Sequence, residues 1–344
     1  MKSVTVVAAV LALAGTACGV RGVGSQGPPS PKAPVLASAS SSPSPEVAAS
    51  ATPASAPPAS ATPASPQFVC SPATSDTPGV TVPTAAPGSL VATIGTITAR
   101  LSWTQQGGPG SGYMAGASIA VTRAGVTLLN APVTAPAPVG EAGSEFASGW
   151  ETLGQLCLEV PASGSPVIYL EGYAGAMTCC GMVRTYYPGP DGTYRTLDHN
   201  LGRGPGTFEL SGGQVVLVAT NPEFNTRFDC GACTPGALQI LTFTDGRTTD
   251  ITRQFPDMIA AEANAWWKTI QPANPAPLGL VAPWTADECE LGKQDSAYAT
   301  LNVLNAAGKL VNPSNALGPS PIWPEGSAFI AALKSFLKTE GYCS

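Results

Sequence analysis

Residues 166–197 read PVIYLEGYAGAMTCCGMVRTYYPGPDGTYRTL, and residues 214–251 read QVVLVATNPEFNTRFDCGACTPGALQILTFTDGRTTDI. Each begins with a short apolar run rich in β-branched residues, Val167-Ile-Tyr-Leu170 and Val215-Val-Leu-Val218, which suits a buried strand. Each reaches a cysteine pair, Cys179-Cys180 or Cys230-x-x-Cys233, and then an Asp-Gly turn, Asp191-Gly192 or Asp245-Gly246. Asp-Gly between strand-formers is a tight hairpin signal, because both central residues of such a turn need φ above zero. Strand-formers follow both turns, as Thr193-Tyr-Arg-Thr-Leu197 and Arg247-Thr-Thr-Asp-Ile251. The three features recur at offsets of 48, 51 and 54 residues. A period near 50 made of strands and hairpins predicts propeller-like or stacked antiparallel β-modules. Two copies are clear and a weaker one centres on Arg123-Ala-Gly125, too few for a closed propeller of about four blades or more.

Upstream, Ile97-Thr-Ala-Arg-Leu-Ser-Trp103, Ser118-Ile-Ala-Val-Thr122 and Val126-Thr-Leu-Leu129 extend the strand pattern. Downstream the period changes. Asp257 to Ile270 places Ile259, Ala263, Trp266, Trp267 and Ile270 at helical spacing behind Pro256. Pro283 to Leu291, Ser296 to Ala306 and Glu325 to Thr339 read as three further helices, the last with Phe329, Leu333, Phe336 and Leu337 on one side. The fold class is therefore mainly β with a small C-terminal helical lobe. The expected division is a β-repeat domain over 67–254 and a helical lobe over 255–344.

The N-terminus has another character. Met1-Lys2, the apolar run Val6 to Ala14, and Gly15-Thr16-Ala17 before Cys18 read as a secretory signal over 1–17, too short to span a bilayer. The small residues before Cys18 resemble a bacterial lipobox, which implies lipid on the Cys18 thiol and attachment to a membrane. Gly15 stands where that pattern wants leucine, so plain cleavage after Ala17 is the other reading. Residues 18–66 are nearly all Ala, Pro, Ser, Gly and Thr, with too little apolar surface to offset chain entropy. They read as a disordered, semi-stiff tether that carries no site. The expected location is extracytoplasmic, as a membrane lipoprotein or a secreted protein.

Beyond Cys18 there are eight cysteines: Cys70, Cys157, Cys179, Cys180, Cys230, Cys233, Cys289 and Cys343. An even count in an exported chain implies a disulfide framework. Cys289 is expected to pair with Cys343, and Cys70 with Cys157. The remaining four are left to one another or to local pairing. A four-thiolate zinc site fits the adjacent Cys179-Cys180 poorly. Redox chemistry needs Cys-x-x-Cys at a helix start, and Thr234-Pro235-Gly236 breaks a helix instead. No metal and no cofactor is expected.

Tyr173-Ala-Gly-Ala-Met-Thr-Cys-Cys180 and Asp250-Ile-Thr-Arg-Gln-Phe-Pro256 resemble segments of exported bacterial proteins with FG-GAP-like, integrin-type β repeats. The resemblance covers about residues 150–300 and implies a repeated β fold, with little about function. Such repeats often hold calcium in an Asp-x-Asp-x-Asp-Gly-like loop before the apolar strand. Here Val160-Pro-Ala-Ser-Gly-Ser165 and Leu210-Ser-Gly-Gly213 offer no carboxylate, and the family's histidine before the cysteine pair is Thr178. Calcium is therefore not expected at these loops.

The composition excludes more than it names. The 344 residues carry a net charge of −6 with a pI near 4.8 and no basic patch, so no nucleic-acid partner is expected. The single histidine, His199, and the lack of a Gly-x-Ser-x-Gly elbow remove most hydrolytic triads. Gly110-Ser-Gly112-Tyr-Met-Ala115 matches a dinucleotide fingerprint in letters alone, since a strand follows where a helix is needed. Glu159, Glu171, Asp198, Glu209 and Asp229 could supply paired carboxylates for glycan hydrolysis if a cleft gathered two of them. Tyr186-Tyr187 and Trp266-Trp267 could stack on sugars, or place one ring of each pair in the core. The expected function is a non-enzymatic binding or scaffolding module of the cell envelope, meeting a surface glycan or protein. The alternative is an extracytoplasmic glycan hydrolase; a thiol–disulfide oxidoreductase is a third reading.

Overall fold

A computed structural model describes residues 67–72, 88–106, 113–134, 152–173, 181–230, 233–244, 246–313, 315 and 323–344, all within one compact unit. The signal, the tether, Cys18, Cys179 and Cys180 lie outside the described residues.

Thirteen strands among the described residues form three antiparallel sheets. The first sheet is the meander β2 (Gly88–Ile94), β3 (Ile97–Gln106), β4 (Tyr113–Arg123) and β5 (Val126–Pro132). The second is β6 (Thr152–Val160), β7 (Val167–Tyr173), β8 (Gly181–Pro188) and β9 (Tyr194–Gly202), with β1 (Gln67–Pro72) added beside β6. The third is β10 (Thr207–Ser211), β11 (Gln214–Thr220), β12 (Leu238–Thr244) and β13 (Arg247–Asp250). The weak repeat around Arg123-Ala-Gly125 is thus a full four-stranded module. Its last hairpin turns at Ala124 and Gly125, at φ 47° and 82°, the place held by Asp191-Gly192 in the second meander and, on the described side of the turn, by Gly246 in the third.

The meanders stack face to face, and side-chain alternation explains how. On β6 and β7, Leu156, Leu158, Ile168 and Leu170 point one way and pack on Leu90, Leu101, Ile119 and Val121 of the first sheet. Their neighbours Cys157 and Tyr169, with Val183 and Leu201, point the other way onto Phe208, Leu217 and Leu241 of the third. The second sheet therefore has two dry faces, and β7 and β8 are buried residue after residue instead of alternately. The far face of the third sheet, with Val216, Ile240 and Ile251, packs on Ile259 of the first helix.

Four α-helices complete the chain: α1 (Pro256–Ile270), α2 (Leu278–Glu290), α3 (Gln294–Ala306) and α4 (Gly326–Thr339). Pro256 occupies the first turn of α1, where its missing N–H costs nothing. α2 starts five residues before the expected Pro283, which sits inside the helix. Gly279 is four residues earlier, and its bare backbone lies against the Cys233 carbonyl. Phe224 and Phe228, in the segment between β11 and β12, pack edge-on against Phe336 of α4 and join the helices to the third sheet.

Three disulfides brace the described residues. Cys70 and Cys157 sit directly opposite on β1 and β6, with Cα atoms 4.0 Å apart. Cys289 at the end of α2 holds Cys343 near the C-terminus. Cys230 bonds Cys233 locally.

Candidate functional site

The five acids singled out from sequence are not gathered at one cleft. Glu159 accepts the Tyr169 hydroxyl at 2.5 Å, between the second and third sheets. Asp198 takes a two-pronged bond from Arg184, with Nε at 2.6 Å and Nη2 at 2.7 Å, while Arg184 also donates to the Thr134 carbonyl. Asp229 accepts the Cys230 N–H at 2.7 Å. Glu209 is exposed on β10. Glu171 is 6% exposed and fills the space above Gly154, where a side chain would collide with its carboxyl. Burial pushes Glu171 up to about 7, and a hydrogen bond from the Gly206 N–H partly offsets that.

His199 lies on β9 with its ring edge toward Phe243. Among the described residues its Nε2 has no hydrogen-bond partner, and burial lowers its pKa. It is a packed ring, and among the described residues no hydroxyl nucleophile is bonded to its Nε2. Tyr186 is buried and Tyr187 half-buried, as alternation on a strand requires. Asp229, Cys230 and Cys233 bring ligand atoms within 4.8 Å of one another, but the two sulfurs are spent on their own disulfide. No helix follows Cys233; the next element is β12. Residues 110–112 of the Gly110–Ala115 stretch lie outside the described residues, and its end enters strand β4.

Two other groups stand out, both on the helical side. The first is a groove of about 370 Å³ lined by Trp267, Gln271, Ser296, Thr300, Val303 and Leu304 from α1 and α3, together with Ala299. Trp267 is half-buried, and its ring rests on Trp284 of α2 with centroids 4.9 Å apart and planes 30° from parallel. The lining carries no charge. Val303, 68% exposed, forms one lip.

The second is a set of acids at the junction of α1, α2 and β12. α2 is apolar around its whole circumference from Leu278 to Ala286, so it is buried along its length and carries Asp287 inside, at 0% exposure. Glu262 of α1 and Glu290 of α2 lie near enough to act on Asp287 electrostatically. Among the described residues neither Asp287 oxygen has a hydrogen-bond partner, nor does one oxygen each of Glu262 and Glu290. The Leu238 N–H faces both Glu262 and Asp287 and relieves them slightly. Burial foremost, then mutual repulsion, raises Asp287 well above the carboxylate range. Burial and the Glu290 charge bring Glu262 to about 7. Burial and Asp250 raise Glu290 to about 7 against the pull of Arg253, whose Nε is 3.8 Å away. Glu290 also lines a groove of about 700 Å³ with Arg253, Lys293, Asp295, Tyr342 and Ser344.

Sequence reasoning passed over these three acids, which fall in stretches read only as helices, Asp257 to Ile270 and Pro283 to Leu291. The signal available was the nine residues before Asp287, apolar on every side, which cannot leave the next turn in water. No family model matches the chain, and neither a curated protein nor a solved structure is significantly similar to it.

Proposed function

We propose that the chain is an exported cell-envelope protein, anchored by lipid on Cys18, whose body is a non-enzymatic binding module for a neutral surface glycan. The α1–α3 groove carries this reading. Its size lies in the range of small-molecule sites, about 300–1,000 Å³. A half-buried indole held rigid by Trp284 offers an aromatic platform for the apolar face of a sugar ring. Gln271, Ser296 and Thr300 supply amide and hydroxyl groups beside it, and the uncharged lining favours a neutral ligand. The five acids singled out from sequence support the same reading, since Glu159, Glu171, Asp198 and Asp229 are held in separate contacts and Glu209 is exposed.

The test is calorimetric titration of the full chain with neutral cell-wall oligosaccharides. Trp267→Ala is expected to weaken binding at least about tenfold, the order of one aromatic contact. Equal affinity in the variant, or no binding by the parent, overturns the reading. Intact mass of protein taken from membranes tests the lipid on Cys18.

One observation favours glycan hydrolysis as a second reading. Glu290 borders the larger groove with its carboxyl raised to about 7, the range of a general acid. Hydrolysis of the same oligosaccharides, abolished by Glu290→Gln, would install that reading in place of the first.

A further inference from the structure

Among the described residues one ion pair reaches the three acids at the α1–α2–β12 junction, from Arg253 to Glu290. The groups acting there are Glu262 from α1, Asp287, Glu288 and Glu290 from α2, Asp250 from β13, Arg253 after it, and Tyr342 near the C-terminus. Arg253 approaches Glu290 only at 3.8 Å with its own side chain 60% exposed, so water screens it. Lys293 is taken by Glu288 at 3.5 Å. Tyr342 accepts the Asn221 amide N–H on its hydroxyl oxygen at 2.9 Å. Nothing among these groups reaches the two orphaned oxygens of Asp287.

An ionised carboxylate left dry and unpaired costs several kcal/mol, and a second and third beside it cost more. Either a cation or protons must neutralise the set. A single ion needs ligand oxygens within about 5 Å of one another, given metal–oxygen distances of about 2.4 Å. Among the described residues Asp229, Cys230 and Cys233 bring three ligand atoms within 4.8 Å of one another, whereas Glu262, Asp287 and Glu290 are not so gathered. Protons need no such convergence.

We propose that the junction between the third sheet and α1–α2 is a proton-operated joint, closed while Glu262, Asp287 and Glu290 are protonated and loosened when they ionise. Ionisation forces water or separation between α1, α2 and the Leu238 end of β12. Glu290, Cys289 and the Cys343 disulfide line the larger groove, so loosening at α2 changes that groove's shape. In the closed state the protein is suited to acid surroundings. The joint opens as the medium turns alkaline.

The experiment is amide hydrogen exchange on the full chain at about pH 5.5 and about pH 8.5, corrected for intrinsic rates, with strands β2–β5 as internal reference. Wild-type protection over Leu238–Thr244 and α1–α2 is expected to fall at least about tenfold at the higher pH while β2–β5 holds. Asp287→Asn is expected to keep that protection at both values; Glu262→Gln serves if the first variant does not fold. Equal wild-type protection at the two pH values overturns the proposal. So does a loss in the variants as large as in the wild type. Restoration of wild-type protection by calcium chloride at the higher pH overturns it in favour of a cation site.

Discussion

Glu171→Gln isolates the cost of a single buried carboxyl. The side chain is 6% exposed, and burial moves its pKa from 4.5 to about 7. Between those values the folded chain keeps a proton that the unfolded chain has released, so stability falls as pH rises through that window. At about 1.4 kcal/mol per pH unit, the carboxyl takes away about 3 kcal/mol once the pH is well above 7. Glutamine has nearly the same shape, keeps an oxygen for the Gly206 N–H, and does not ionise. Its amide nitrogen adds a fixed cost beside Gly154, equal at every pH. The change with pH is therefore the informative quantity. Urea unfolding of wild type and variant at about pH 4.5 and about pH 8.5 is expected to show the variant gaining about 3 kcal/mol relative to wild type between the two. A stability difference that is the same at both values refutes the reasoning, because the carboxyl would then ionise in place without penalty.

Gly279→Ala places a Cβ against the Cys233 carbonyl well inside 3.0 Å, so α2 must move off the loop. Alanine's helix preference of about 1 kcal/mol is outweighed, and a net loss of about 2 kcal/mol is expected in denaturant unfolding. An unchanged midpoint would show that the loop yields freely. Replacing Cys70 and Cys157 together by alanine opens a tie across 87 residues, worth about 4–5 kcal/mol by chain entropy. Calorimetry that finds the melting temperature of the double variant unmoved refutes that figure.

The meander repeat was legible because strand, turn and strand each leave a local mark: Val215-Val-Leu-Val218 for a buried strand, Asp-Gly for a turn that must adopt positive φ. The first copy was faint because Ala124 holds the position that aspartate holds in the others, and alanine is no turn signal although its φ is 47°. The start of α2 was misplaced for a similar reason. Proline in a helix is most often found in the first turn, but α2 carries Pro283 inside. The stacking order of the sheets was not legible, since the continuous burial of β7 shows that both faces are dry and says nothing about which sheet covers which. The acid junction was hidden by the same gap: Glu262 lies 25 residues before Asp287, and only the packing of α1 on α2 brings them together. Trp267 was visible as a ring at helical spacing, whereas its groove depends on α3, nearly thirty residues later.

The Cys70–Cys157 bond has a mechanical consequence. β1 is the border strand of the second sheet, and the chain enters the described body through it at Gln67. A pull on the segment before Gln67 would, without the sulfur bridge, shear or unzip one rung of the β1–β6 ladder after another at low force. With the bridge, tension passes at Cys70 into β6, which lies under two dry faces. Beyond Cys70 the sheets then resist tension as one block.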